Sequence, residues 1–141
     1  MIQSQVTWRK TLALAVGGGL GFWVVNFVIS LTPIAAEYRA ALSISYLPML
    51  LEALIGGLII GLGVSYSLLR FFDRIPTRSA ILKSVILSIM VLAIVTILFQ
   101  VPAILPLQTS NPFRLFLIGT MFNGLRILAL GVVTGYLHGR I

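Results

Sequence analysis

Three stretches of this sequence, residues 11–36, 53–69 and 84–113, contain no Asp, Glu, Lys or Arg. Each is long enough, or nearly so, to cross a hydrocarbon core of about 30 Å as a helix of ~20 apolar residues. A fourth apolar run, residues 115–137, is interrupted by one charge, Arg126. Lipid offers no partner for a backbone N–H or C=O, so a segment of this kind must satisfy its own hydrogen bonds, and a helix does so. The pattern therefore predicts an all-α integral membrane protein. It forms a single domain over residues 1–141, with four transmembrane helices spanning about 8–31, 48–71, 79–100 and 112–138. Composition agrees, since 59% of residues are hydrophobic and only 9% are charged.

Prolines and charges set the boundaries. Pro33 ends the first span, and Pro48 suits the first turn of the second. Residues 38–47 fit either an interfacial segment or an extension of a helix. Phe72, Asp73, Arg74, Ile75, Pro76, Thr77 and Arg78 make a tight connection too short for a domain. A loop from Gln100 to Asn111, with Pro102 and Pro106, follows the third span, and Asn111-Pro112 reads as a cap and first helical residue of the fourth. The N-terminus, with Arg9 and Lys10 before a long apolar run, mimics a signal peptide. Its run exceeds the ~7–15 residues of a cleaved signal, so an uncleaved first span is expected.

A net charge of +7 would suggest nucleic acid in a soluble domain. Here the cations sit at span ends. Arg9, Lys10, Arg70, Arg74, Arg78, Lys83 and Arg140 fall on one side of a four-span chain, Arg39 and Arg114 on the other. Cytoplasmic flanks are the basic ones, which puts both termini in the cytoplasm, N-in and C-in. The expected home is a prokaryotic cytoplasmic membrane, with the lipid bilayer as partner and no nucleic acid. Shifting the chain by 70 residues superposes Gly61 on Gly131, Tyr66 on Tyr136 and Arg70 on Arg140. The two halves thus read either as tandem helical hairpins or as a coincidence of residues common at inner span ends.

Small residues four apart let helices approach closely in lipid. Gly17 with Gly21, Gly57 with Gly61, and Gly131 with Gly135 show that spacing. At ~100° per residue, Gly131 and Gly135 lie roughly opposite Arg126 on the fourth span, and Gly57 and Gly61 roughly opposite Glu52 and Gly56 on the second. Two opposed packing faces on one helix point to contacts outside the chain, as in a homo-oligomer or a larger membrane complex.

A mid-span Arg costs about 2.5–3.5 kcal/mol on insertion. The twelve Leu, Ile, Phe and Val residues between 113 and 133 can offset that, but the guanidinium still needs partners. Counting along helices at ~1.5 Å per residue puts Glu52, Asn26, Asn123 and Gln100 in one layer with Arg126. That layer is either a buried lock built on a Glu52–Arg126 pair, or a site or pathway for a small anion or polar solute. A third reading pairs Arg126 with another subunit or a lipid headgroup. Enzyme chemistry has little to draw on. There is no cysteine, the lone His138 sits at the inner edge, and Asp73 and Glu37 lie in loops on opposite sides. No catalytic residue, metal ligand or cofactor is expected. The preferred reading is a non-enzymatic oligomer-forming or accessory membrane subunit. The alternative is a small transporter or channel with Arg126 and Glu52 lining the path.

Overall fold

The computed structural model describes residues 2–106 and 111–140, so part of the expected loop after the third span, residues 107–110, lies outside the described chain. Among these residues every regular element is helical and none is a strand. In order they are α1 (Ile2–Ser30), α2 (Pro33–Ala41), α3 (Tyr46–Arg70), a 3-10 turn (Phe72–Arg74), α4 (Ala80–Val95), a π turn (Thr96–Gln100), α5 (Val101–Ile104) and α6 (Pro112–His138). Four segments, Trp8–Ser30, Tyr46–Arg70, Ala80–Ile104 and Pro112–His138, are long and apolar enough to cross a membrane, which marks an integral membrane protein.

Local chemistry explains the ends. Thr32 Oγ1 accepts the Ala35 N–H at 3.2 Å, and Pro33 opens α2. Asn111 Oδ1 accepts the Arg114 N–H at 3.1 Å, with Pro112 as the first residue of α6. Ser43 adopts a left-handed backbone (φ 56°) in the turn between α2 and α3. The undecided stretch 38–47 thus resolves into the end of α2, that turn and the start of α3.

The third span runs on past its expected end at residue 100. Proline has no N–H for the preceding turn, and its ring crowds the carbonyl four residues back. The chain accommodates Pro102 by widening rather than stopping: the Val101 N–H reaches the Thr96 carbonyl in a π turn, and the helix continues to Ile104.

Unlike a soluble bundle, this one is apolar outside, and its interior mixes apolar with small polar side chains. Along α1 the exposed residues Leu12, Val16, Leu20, Val24 and Val28 recur every four positions and form one apolar stripe. The interior holds Thr11, Ser65, Ser84, Ser88 and Thr134, all 0% exposed. Lipid tails are as apolar as leucine, so burial of aliphatic area does not drive these helices together. Close packing of small residues does.

In the bundle α1 packs between α3 and α6, and α6 packs between α1 and α4. The ring closes between α3 and α4, where packing is sparsest. The glycines set the tight contacts. A methyl on Gly61 would lie 2.7 Å from the Ala15 carbonyl oxygen, and one on Gly135 would lie 2.9 Å from the Ala80 carbonyl oxygen. Gly17 and Gly21 face Leu137 and Val133 of α6, Gly57 faces Phe22 and Gly19, and Gly131 faces Ser88. These glycines are therefore used within the chain, and on α6 the opposed faces are taken by α1 and α4. On that helix the opposed faces do not by themselves require a contact outside the chain, because α1 and α4 pack on them. On α3, Gly56 and Gly63 still face open space.

Midway along the bundle Phe22, Val64, Ile127 and Leu130 pack as a buried apolar cluster, with Leu87 and Val91 of α4 against it. A second cluster, Ala35 with Ile118 and Phe122, seats α2 on α6. At the opposite end the buried Lys83 donates to the Phe72 carbonyl and lies 3.6 Å from the Phe72 ring centroid. His138 stacks on the same ring at 4.6 Å.

Candidate functional site

Arg126 lies near the middle of α6, ~21 Å from Pro112 and ~18 Å from His138 at 1.5 Å rise per residue. Its neighbours follow from helical spacing. Asn123 is one turn earlier on α6, and Phe22 and Asn26 share a face of α1. Arg126 Nη1 donates to Asn26 Oδ1 at 2.6 Å, and Nη2 donates to Asn123 Oδ1. The guanidinium carbon lies 5.3 Å from the Phe22 ring centroid. Nε is buried with no hydrogen-bond partner.

The bonds continue in both directions. Asn123 Nδ2 donates to Gln100 Oε1 at 2.9 Å, and Gln100 Nε2 donates to the Phe116 carbonyl at 2.7 Å and to Thr120 Oγ1 at 2.8 Å. On the other side Asn26 Nδ2 meets Met49 Sδ at 3.4 Å. Gln100 is 4% exposed and closes the π turn, so the residue that Pro102 displaces from a regular helix carries one end of the network. Arg126, Asn26, Asn123 and Gln100 are thereby joined by direct hydrogen bonds.

Glu52 is not part of that chain. Its side chain is exposed on α3, and among the described residues the ion pair formed is Glu37 with Arg114, not Glu52 with Arg126. Depth counting placed Glu52 at the right level, but helix order decides the partner. α1 lies between α3 and α6, so an α1 amide reaches Arg126 first. The expected buried acid–base lock is replaced by two neutral amides, which orient the guanidinium without neutralising it.

Arg126 and Glu52 nevertheless line one cavity of about 520 Å³, together with Asn26, Ser30, Tyr38, Gln100 and Asn123. That volume falls in the ordinary range for small-molecule sites, roughly 300–1,000 Å³. Phe22, whose ring faces the Arg126 guanidinium, also belongs to the buried apolar cluster with Val64, Ile127 and Leu130, so that cluster adjoins the polar network. Over the end of the bundle α2 contributes Ala35, Tyr38 and Arg39 to the lining. The exposed members of the lining are Ile44 in the turn between α2 and α3, Glu52 near the start of α3, and Phe99 and Ala103 in the π turn and α5. The mouth is therefore the gap where α3 and the α4–α5 segment fail to close.

Tyr38 is held in the cavity wall by its edge-on contact with Phe122, ring centroids 5.7 Å apart. Its hydroxyl approaches Gly119 so closely that a methyl there would lie 2.6 Å from the oxygen. Burial raises the Tyr38 phenol above its ordinary value of 10, while the Arg126 charge pulls the other way. At the membrane edge Arg114 grips Glu37 with both Nη groups, tying α2 to α6. The hydrogen bond from Arg114 holds the Glu37 carboxyl below its ordinary value of 4.5.

Tyr38, Ser30, Phe22 and Gly119 escaped the sequence reading. A signal for some of them existed: Phe22, Asn26 and Ser30 repeat at four-residue spacing on α1, and Gly119, Asn123 and Arg126 share one face of α6. For Tyr38 no local signal existed, because its place depends on how α2 folds back.

Among the described residues no three His, Cys, Asp or Glu side chains come together as metal ligands. Chemically the site offers a permanent cation held by neutral amide acceptors, hydroxyls and a second cation, Arg39, in the wall, and a carboxylate at the entrance. Comparison with known proteins adds no relative: no family model, curated protein or solved structure matches this chain.

Proposed function

We propose that this protein binds a small polar solute carrying an anionic group in the Arg126 cavity, and that it acts without catalysis as a membrane transporter or carrier. The observation that carries this reading is a full positive charge lining a cavity of ligand size with only neutral amides as partners. A structural lock is better served by a carboxylate, because an uncompensated charge in a low-dielectric site is costly. Charged groups within membrane spans typically mark substrate or ion paths. The buried apolar cluster that adjoins Arg126 argues for a carrier rather than an open pore.

The test begins with thermal unfolding of the purified protein in nonionic detergent against sulfate, phosphate and small carboxylates. A true ligand at ~100-fold over its Kd stabilises by about 2.7 kcal/mol. The increase is expected for at least one anion and is lost in Arg126→Gln. Tracer flux into proteoliposomes with that anion, abolished by the same change, then separates transport from storage. Absence of any anion effect that depends on Arg126 sinks the reading.

One observation favours the accessory or oligomeric role as a second reading: Gly56 and Gly63, on the same side of α3 as Glu52, meet nothing within 4 Å. A second copy or a partner helix packing there would use that surface. The N-in, C-in orientation and the origin as two tandem hairpins belong to the same proposal, supported by the basic inner flanks and the repeated Gly, Tyr and Arg. The cysteine-free sequence makes orientation directly testable. Single cysteines at Arg78 and Arg39 should label from opposite sides of an intact membrane.

A further inference from the structure

Three charged side chains line the cavity: Arg39, which is engaged by the Ser30 carbonyl and the Tyr46 ring, and Arg126 and Glu52, which are of opposite sign and do not pair with each other. Arg126 is bonded to Asn26 and Asn123, and among the described residues Glu52 forms no ion pair although it lines the same space. A simple anion would satisfy Arg126 and meet repulsion at the entrance. A simple cation would do the reverse. A ligand bearing both charges a short distance apart meets both.

The approach route narrows the choice further. At the end of the bundle three contacts tie α1, α2 and α3 together: Arg39 lies 4.9 Å from the Tyr46 ring centroid and reaches the Ser30 carbonyl at 3.4 Å, and the Ser30 and Tyr46 hydroxyls meet at 3.0 Å. Below Arg126 the buried apolar cluster continues the bundle. The mouth lies sideways, between α3 and the α4–α5 segment, and it is flanked by outward apolar side chains: Leu51 at 61%, Ile55 at 51%, Leu98 at 60% and Phe99 at 68% exposed. Helices with such surfaces face lipid, so an opening between them communicates with the bilayer. Ile44, Met49 and Phe99 give the lining an apolar wall beside the charges.

We propose that the cavity takes the zwitterionic head of a membrane amphiphile, its anionic group toward Arg126, its ammonium toward Glu52, and its tail in the gap between α3 and α4. The proposal rests on the reading that Arg126 binds an anion, and adds the second charge and the lateral route.

Native mass spectrometry of the full chain in nonionic detergent tests it, with three probes: phosphatidylethanolamine, phosphatidylglycerol, and soluble phosphoethanolamine. The aminophospholipid should be retained at least tenfold better than phosphatidylglycerol, which has the phosphate but no amine. Glu52→Gln should abolish that preference while leaving phosphate-dependent retention, and because Glu52 is exposed and unbonded this variant should fold as the parent does. Arg126→Gln, checked for helicity and monodispersity, should lose both lipids, and Arg126→Lys should recover part of the binding. Equal retention of the two lipids, or a preference that survives Glu52→Gln, overturns the zwitterion. Soluble phosphoethanolamine binding as tightly as the lipid overturns the lateral route, yet leaves anion binding at Arg126 intact. Retention that ignores every change at Arg126 removes the underlying reading as well.

Discussion

The two halves of this bundle use the same four helices and pack in opposite ways. In the half nearer the Phe72–Arg74 turn, backbones nearly touch: Gly61 against Ala15, Gly135 against Ala80, with buried Ser84, Ser88 and Thr134 filling the seams. In the half nearer α2, long polar side chains hold the helices apart around about 520 Å³ of space. The contrast teaches that in lipid the size of interface residues, more than their hydrophobicity, decides whether helices meet or leave a site. Apolar side chains serve either half equally well on its outer surface.

The largest effect should come from forcing the tight half to look like the loose one. Gly61→Val would place side-chain carbons against backbone atoms of Ala15 and Gly19, which cannot rotate away. It should cost ~3 kcal/mol or more, the top of the overpacking range, in reversible unfolding from mixed micelles. Ala103→Val, at the cavity mouth, should stay within ~0.5 kcal/mol. Equal costs would break the comparison.

The loose half depends instead on polar continuity. Gln100→Leu strips Asn123 Nδ2 of its acceptor and removes the donor to the Phe116 carbonyl. A loss of about 1–3 kcal/mol is expected, the cost of stranding buried polar groups. In a double-mutant cycle with Asn123→Leu the two losses should overlap rather than add. Strict additivity would mean that the network is not a unit.

A smaller effect, of opposite sign, should appear two residues from Gly61. A methyl on Gly63 meets nothing, so Gly63→Ala should raise monomer stability by up to ~1 kcal/mol through helix propensity. Should it instead lower stability while a dimer mass disappears in lipid discs, the outward face of α3 is an interface.

The smallest effect concerns the tie over the cavity. Glu37 has a folded pKa below 4.5, so its bond to Arg114 contributes above that pH and is lost as pH falls through the lowered value. Glu37→Gln should be slightly less stable than the parent at neutral pH, less so in high salt, and the two should converge in acid. A gap that persists in acid strong enough to protonate Glu37 would assign the effect to packing instead.

The sequence made the four spans legible because charge segregation is a constraint lipid imposes directly. It also brought Asn26, Gln100, Asn123 and Arg126 to one depth, since rise per residue is fixed. Two things were hidden. Helix order is not encoded in depth, so Glu52 was matched to Arg126 although α1 stands between their helices. The continuation through Pro102 was hidden too, because a proline normally signals an end and only the π turn allows otherwise. Gly57, Gly61, Gly131 and Gly135 all meet neighbours within the chain, which glycine spacing alone does not reveal, whereas Gly56 and Gly63 meet nothing.

The buried apolar cluster beside Arg126 has an electrical meaning. If solution reaches the cavity, the membrane voltage no longer falls evenly along the helices but concentrates across the layer of Phe22, Val64, Ile127 and Leu130. Moving one elementary charge through 100 mV is worth ~2.3 kcal/mol. Arg126, one residue above Ile127, sits on one plate of that thin capacitor. Any rearrangement that carried a bound charge past the cluster would feel nearly the whole field over a few side chains' thickness.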